Sequence, residues 1–103
     1  MKLIQCLTDN IHEELADAEK YAKLALKYKG DHPDVAKLMD KLSAEEMEHM
    51  MMLHNMTSSV IEDYRRTNGE PPASMLAVYD YLHRQQIDKA AEVKNLQAMY
   101  KEG

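Results

Sequence analysis

The sequence contains no phenylalanine and no tryptophan, a single cysteine, and only three glycines and three prolines in 103 residues. The lone Cys6 excludes an intramolecular disulfide and any Cys-x-x-Cys metal knuckle, and it reads as a small buried apolar residue rather than a nucleophile. No secretory signal is apparent, because the apolar stretch from Leu3 to Leu7 is short and broken by Gln5. No run approaches the roughly 20 apolar residues that a membrane span requires. A reducing, cytoplasmic setting is the default expectation. Clustered Lys and Arg are also missing, and the net charge of −5 argues against nucleic acid while suiting a protein that attracts cations. No Gly-rich loop offers itself to nucleotide phosphates, and no catalytic triad is evident.

What is present is helix-forming. Ala, Leu, Glu, Lys and Met dominate, with 45% apolar and 30% charged residues, which points to an all-α protein. A chain of this length makes one domain, residues 1–103, with a modest core. Two interruptions divide it. Gly30-Asp31-His32-Pro33 is the first, with Gly30 suited to a left-handed cap and Pro33 to the first turn of a new helix. Asn68-Gly69-Glu70-Pro71-Pro72 is the second, a turn followed by a prolyl stop. The expected helices therefore cover about 2–29, 33–67 and 73–101. The first connection is so short that helices one and two should pack as an antiparallel hairpin. The third helix has helical apolar spacing but no clean seam.

Alternating 3–4 spacing picks out Ile4, Leu7, Ile11, Glu14, Ala18, Tyr21, Ala25 and Tyr28 in the first helix. In the second it picks out Val35, Met39, Leu42, Glu46, His49, Leu53, Met56 and Val60. Such stripes are the faces that bundle helices turn toward one another. Glu14, Glu46 and His49 are the ionisable exceptions. An unpaired buried carboxylate costs several kcal/mol or takes up a proton, so three such groups in one small core call for a shared partner, and a cation supplies one. Glu46 and His49, three residues apart, share one helix face. Glu14 lies 17 residues before Asp31 and Glu46 lies 14 after His32, which puts them at nearly the same level of a hairpin. The three residues should converge.

The segment Glu14-Leu-Ala-Asp-Ala-Glu-Lys-Tyr21 resembles the first metal helix of rubrerythrins and related ferritin-like proteins, a Glu followed seven residues later by a Tyr. Ala44-Glu45-Glu46-Met47-Glu48-His49 resembles their second metal helix, with Glu-x-x-His in an acidic run. The resemblance covers roughly residues 8–60. It implies a carboxylate-bridged di-metal site to which two helices each give a Glu and two others each give a Glu-x-x-His. On that pattern Glu46 is the bridging carboxylate, Glu14 the terminal carboxylate and His49 the terminal imidazole, and Tyr21 sits beside the site, able to hydrogen-bond a ligand carboxylate. This chain supplies one such pair of helices, so the resemblance implies a homodimer or higher homo-oligomer that completes a four-helix core, an arrangement that resembles the encapsulated ferritins. No encapsulin-targeting tail is evident, and no four-cysteine rubredoxin domain provides a built-in electron donor. Iron, two ions per dimer, is the expected cofactor, with manganese or zinc also suited to oxygen and imidazole ligands. The implied chemistry is ferroxidase or peroxide-reducing, with dioxygen or peroxide as the small-molecule partner.

Other readings compete. One is a metal-free structural or adaptor dimer, with the three groups hydrogen-bonded and partly protonated. Another is a monomeric three-helix bundle whose mononuclear site is completed by His83 or Glu92. Glu13, Glu45 and Glu48 fall outside the seams, with Glu45 in reserve as a ligand should the helix phase differ by one. The segment Met47–Met56 could offer thioethers to cuprous ion, but methionines that circle a helix better suit adaptable contacts with the third helix or a partner. His12, His32 and His54 read as surface, turn and flanking residues. Asp80-x-x-His83 is a weak ligand pattern.

Overall fold

A computed structural model describes residues 2–102 and contains three helices in sequence: α1 (Lys2–Tyr28), α2 (Pro33–Asn68) and α3 (Ala73–Glu102). The sequence boundaries hold to within a residue. The 36 residues of α2, at about 1.5 Å of rise each, set the long dimension of a rod measuring 55 × 19 × 18 Å. The turn between α1 and α2 differs from expectation in one respect. Among the described residues Gly69, not Gly30, is the glycine with positive φ. Between α1 and α2 the His32 N–H reaches back to the Tyr28 carbonyl at 2.8 Å, so the helical hydrogen-bond pattern continues until Pro33 opens α2 and no left-handed residue is needed. At the second turn Gly69 adopts φ 79° and ψ −167°, a region only glycine visits readily, while its N–H satisfies the Arg65 carbonyl.

α1 and α2 form the antiparallel hairpin. Its interior is built from small residues: Ala18, Ala22 and Ala25 of α1, and Ala36 and Ser43 of α2, are almost wholly buried. Ile11, Leu15 and Met50 form the larger core cluster, against which Met47, Leu53 and Ala90 pack. Ser43 donates to the Ala18 carbonyl at 2.7 Å and accepts from Gln97 at 2.9 Å, joining all three helices at one buried polar point.

α3 runs alongside α1 in the same direction and hardly touches α2. Val93 is its one fully buried apolar residue, which agrees with a helix lacking a clean seam. Near the far end Lys29 donates to the Tyr100 carbonyl and lies 5.1 Å from the centre of its ring, a cation placed where a helix C-terminus favours one. Midway, Lys89 bonds Glu19 at 2.7 Å.

That pair has a pH signature. The hydrogen bond from Lys89 holds the Glu19 carboxyl below its ordinary 4.5, and the bond to Glu19 holds the Lys89 ammonium above its ordinary 10.5. Its contribution is thus present between those ordinary values. It is lost as pH falls from 4.5 through the lowered carboxyl value, and again as pH rises above 10.5. Both groups are partly solvated, so Glu19→Gln is expected to cost less than about 1 kcal/mol at neutral pH. The same variant should flatten the acid limb of a thermal-midpoint titration; an acid limb unchanged from the parent would remove Glu19 from the account.

Cys6 is exposed, against its reading as a buried residue. It lies two positions before Thr8, which is buried at 3%; at about 100° per residue the two side chains leave α1 on nearly opposite sides.

Candidate metal centre

Glu14 on α1 and Glu46 and His49 on α2 each bring one ligand-type atom within 4.8 Å of the others, so the expected convergence occurs. His49 Nδ1 stands 3.6 Å from Glu14 Oε2 and 3.7 Å from Glu46 Oε2. These separations are too long for hydrogen bonds. They do match donor atoms around a common ion, which lie roughly 3–4 Å apart when each is about 2.0–2.2 Å from the metal. Glu14 Oε2 is moreover buried with no hydrogen-bond partner among the described residues. Such an orphaned acceptor costs about 1–3 kcal/mol, and the cost falls when a cation takes its lone pair. The donor set of two carboxylates and one imidazole fits iron, manganese or zinc.

The trio does not sit mid-core, as the apolar seams led one to expect. The Glu14 and Glu46 side chains are 26% and 20% exposed and that of His49 is 53% exposed. In α2 the buried residues are Ala36, Ser43, Met50 and Thr57, each one position beyond a member of the apolar seam. In α1, Leu15 and Ala22 are buried while Glu14 and Tyr21 are half-buried. The cause is α3. Glu19, which meets Lys89 of α3, stands about 140° around α1 from Glu14, so the third helix draws the core to its own side. The seam side of the hairpin stays open. Val35, Leu38, Met52 and Met56 on that side of α2 are 40%, 52%, 69% and 55% exposed, an apolar stripe running past His49.

Tyr21 is half-buried on the same stripe, with Lys20 Nζ 4.8 Å from its ring centre. Because Glu14 Oε2 lacks a partner, the Tyr21 hydroxyl does not reach that oxygen. α3 brings no ligand to the trio. Glu92 lies 3.5 Å from Lys89, and His83 stacks between Tyr79 and His54; among the described residues the ligand group holds Glu14, Glu46 and His49 alone. Glu13 and Glu48 are exposed, and Glu45 is half-buried outside the group. Met50 enters the core while Met51, Met52 and Met56 are exposed, so the methionines do not converge on one ion. His12 is half-buried in an open groove with Leu15, Gln86 and Lys89, a departure from its surface reading caused by α3 closing over that flank. A cavity of about 520 Å³ lies at the other end of the rod, with Ile4, Thr8, Ile61, Leu76, Tyr79 and Leu82 among its lining residues. Burial there, reinforced by Asp80, raises the Tyr79 hydroxyl above its ordinary pKa.

Three long helices, two of them presenting a carboxylate–imidazole cluster across an antiparallel hairpin, define a ferritin-like helical protein with a candidate metal centre. The family model described as Rubrerythrin matches residues 5–102, and the chain belongs to that family. The match includes α3, well beyond the residues 8–60 on which the motif resemblance rests. The same chain finds no match among curated proteins or among solved structures. Among the described residues no helix is long and apolar enough to cross a membrane.

Proposed function

We propose that two copies of this chain pair through the open side of the α1–α2 hairpin and hold a di-metal centre, most suited to iron, between them. The observation that carries this reading is the exposed apolar stripe that flanks the cluster. Leu38, Met52 and Met56 are more than half exposed in the single chain, on the side that α3 leaves uncovered. Contiguous apolar surface of this kind marks an interface, and a twofold pairing would apply the same patch to itself. It would also bring a second Glu14, Glu46 and His49 to the first, the two-Glu, two-Glu-x-x-His complement of ferritin-like sites.

Within such a pair Glu14 and Glu46 would supply carboxylate oxygens and His49 an imidazole nitrogen. When bound, a pair of iron ions supplies the redox chemistry for reducing dioxygen or peroxide. The protein's part is to hold anionic donors at fixed spacing and to exclude bulk water by closing Leu38, Met52 and Met56 over the cluster, which strengthens every charge interaction inside. Glu14 Oε2, already shielded from solvent, is the donor most dependent on that ion.

Solution mass combined with elemental analysis of protein purified without chelator tests the reading. Two ions per two-chain particle is the expected result. A single-chain particle carrying one ion would overturn it, and so would a two-chain particle whose thermal midpoint is indifferent to ferrous and zinc ions.

A further inference from the structure

The hydroxyl of Ser43, fully buried on α2, takes part in two hydrogen bonds at once. It donates to the Ala18 carbonyl of α1 at 2.7 Å and accepts from the Gln97 amide of α3 at 2.9 Å. Among the described residues the first is the only hydrogen bond that joins α1 to α2, and the second is the only one that joins α2 to α3. The place of this node along the hairpin bears on the metal cluster. Ser43 precedes Glu46 by three residues and Ala18 follows Glu14 by four. Both therefore stand one helical turn from the ligands, on the side toward the α1–α2 connection.

We infer that Ser43 is a positioning residue for the metal cluster, and that Gln97 lets the seating of α3 act on an ion held by α1 and α2. Glu14 and Glu46 come from different helices, so the gap between their carboxylates follows the spacing and axial register of α1 against α2. The hairpin interior around the node is made of Ala18, Ala22, Ala25 and Ala36. Contact between such small apolar side chains is non-directional and resists sliding weakly. A hydrogen bond depends steeply on distance and angle, and the Ser43–Ala18 bond is the directional tie available to fix that register. The Ala18 carbonyl can accept it without leaving the helix, because its oxygen has a second lone pair. Gln97 acts one step further out: by donating to the Ser43 oxygen it leaves the single hydroxyl proton for Ala18. The inference rests on the reading of Glu14, Glu46 and His49 as metal ligands, and it is independent of how chains pair.

The test is a zinc titration of the full chain and its variants, each taken at a temperature where helix content equals the parent's, so that affinity is read from folded protein. Ser43→Ala should weaken zinc binding about tenfold, the scale of loss when a supporting group is removed from a metal site. Gln97→Met, a change on a half-buried residue of α3, should weaken it in the same direction. The two losses should not add in the double variant, because both act through one hydroxyl. Glu19→Gln loosens α3 from α1 by a different route, its contact with Lys89; it should lower the metal-free thermal midpoint and leave zinc affinity at the parent value. Cobalt in place of zinc gives a spectroscopic check: its visible bands should shift in Ser43→Ala and stay in place in Glu19→Gln. A parent chain that takes up no zinc overturns the metal reading, and this role with it. Zinc uptake by the parent and by Ser43→Ala with equal affinity overturns the positioning role alone. Equal weakening by Glu19→Gln and Ser43→Ala also overturns it, since the effect would then follow stability and not register.

Discussion

Glu46→Ala is expected to strip the protein of its metal without unfolding it. Glu46 lies outside the Ile11–Leu15–Met50 cluster, so the substitution leaves that packing in place. It removes one of two carboxylates whose ligand atoms share a 4.8 Å neighbourhood. In the metal-free chain these like charges repel, and the variant should therefore be as stable as the parent or slightly more so. With metal the order reverses. A ligand at a hundred times its dissociation constant adds about 2.7 kcal/mol to the native state, worth roughly 10 °C or more in the midpoint of a domain of this size. Ferrous or zinc ion should raise the parent's midpoint by that margin and leave Glu46→Ala nearly where it began. Equal metal content in parent and variant, measured without chelator, would remove this cluster from consideration as the main site.

The second large effect is on assembly. Met52→Glu/Met56→Glu places two anions on the open stripe beside an already acidic cluster. Both methionines are largely exposed in the single chain, so the chain itself should lose no more than about 0.5 kcal/mol. Pairing should fail, because the new charges would be desolvated against their own copies. Sedimentation should then give the mass of a single chain, and metal content should fall with it. An unchanged mass with unchanged metal would direct the search for an interface to another face. A single-chain mass with full metal content would show that one hairpin suffices.

Much of this was legible in the sequence because the decisive signals are local. Pro33, Gly69 and the Pro71-Pro72 pair punctuate the chain where backbone chemistry forces a break, and the helix ends fall there. Convergence of Glu14 with Glu46 and His49 followed from counting residues outward from a short turn, since helical rise is constant. The side of the hairpin that α3 covers was not legible. The buried line of α2 is Ala36, Ser43, Met50 and Thr57, and a search for apolar residues passes over it because two of the four are hydroxyl residues. They are tolerated inside because Ser43 bonds the Ala18 carbonyl and Thr57 the Leu53 carbonyl. The more apolar seam beside it thus looked like the core when it is an edge. The stacking of His54, read from the sequence as a flanking residue, on His83 was hidden for a similar reason: the two are 29 positions apart, and His83 lies on a helix with no seam to fix its phase.

The one-sided seating of α3 has a consequence for how the molecule opens. A segment packed on a single neighbour separates with less free energy than global unfolding requires, and α3 rests almost wholly on α1. Amide hydrogens along Ala73–Glu102 should therefore trade with deuterium well before those of Ile11, Leu15 and Met50. α3 then behaves as a detachable splint, and each brief excursion leaves the two helices that carry Glu14, Glu46 and His49 still clasped to one another.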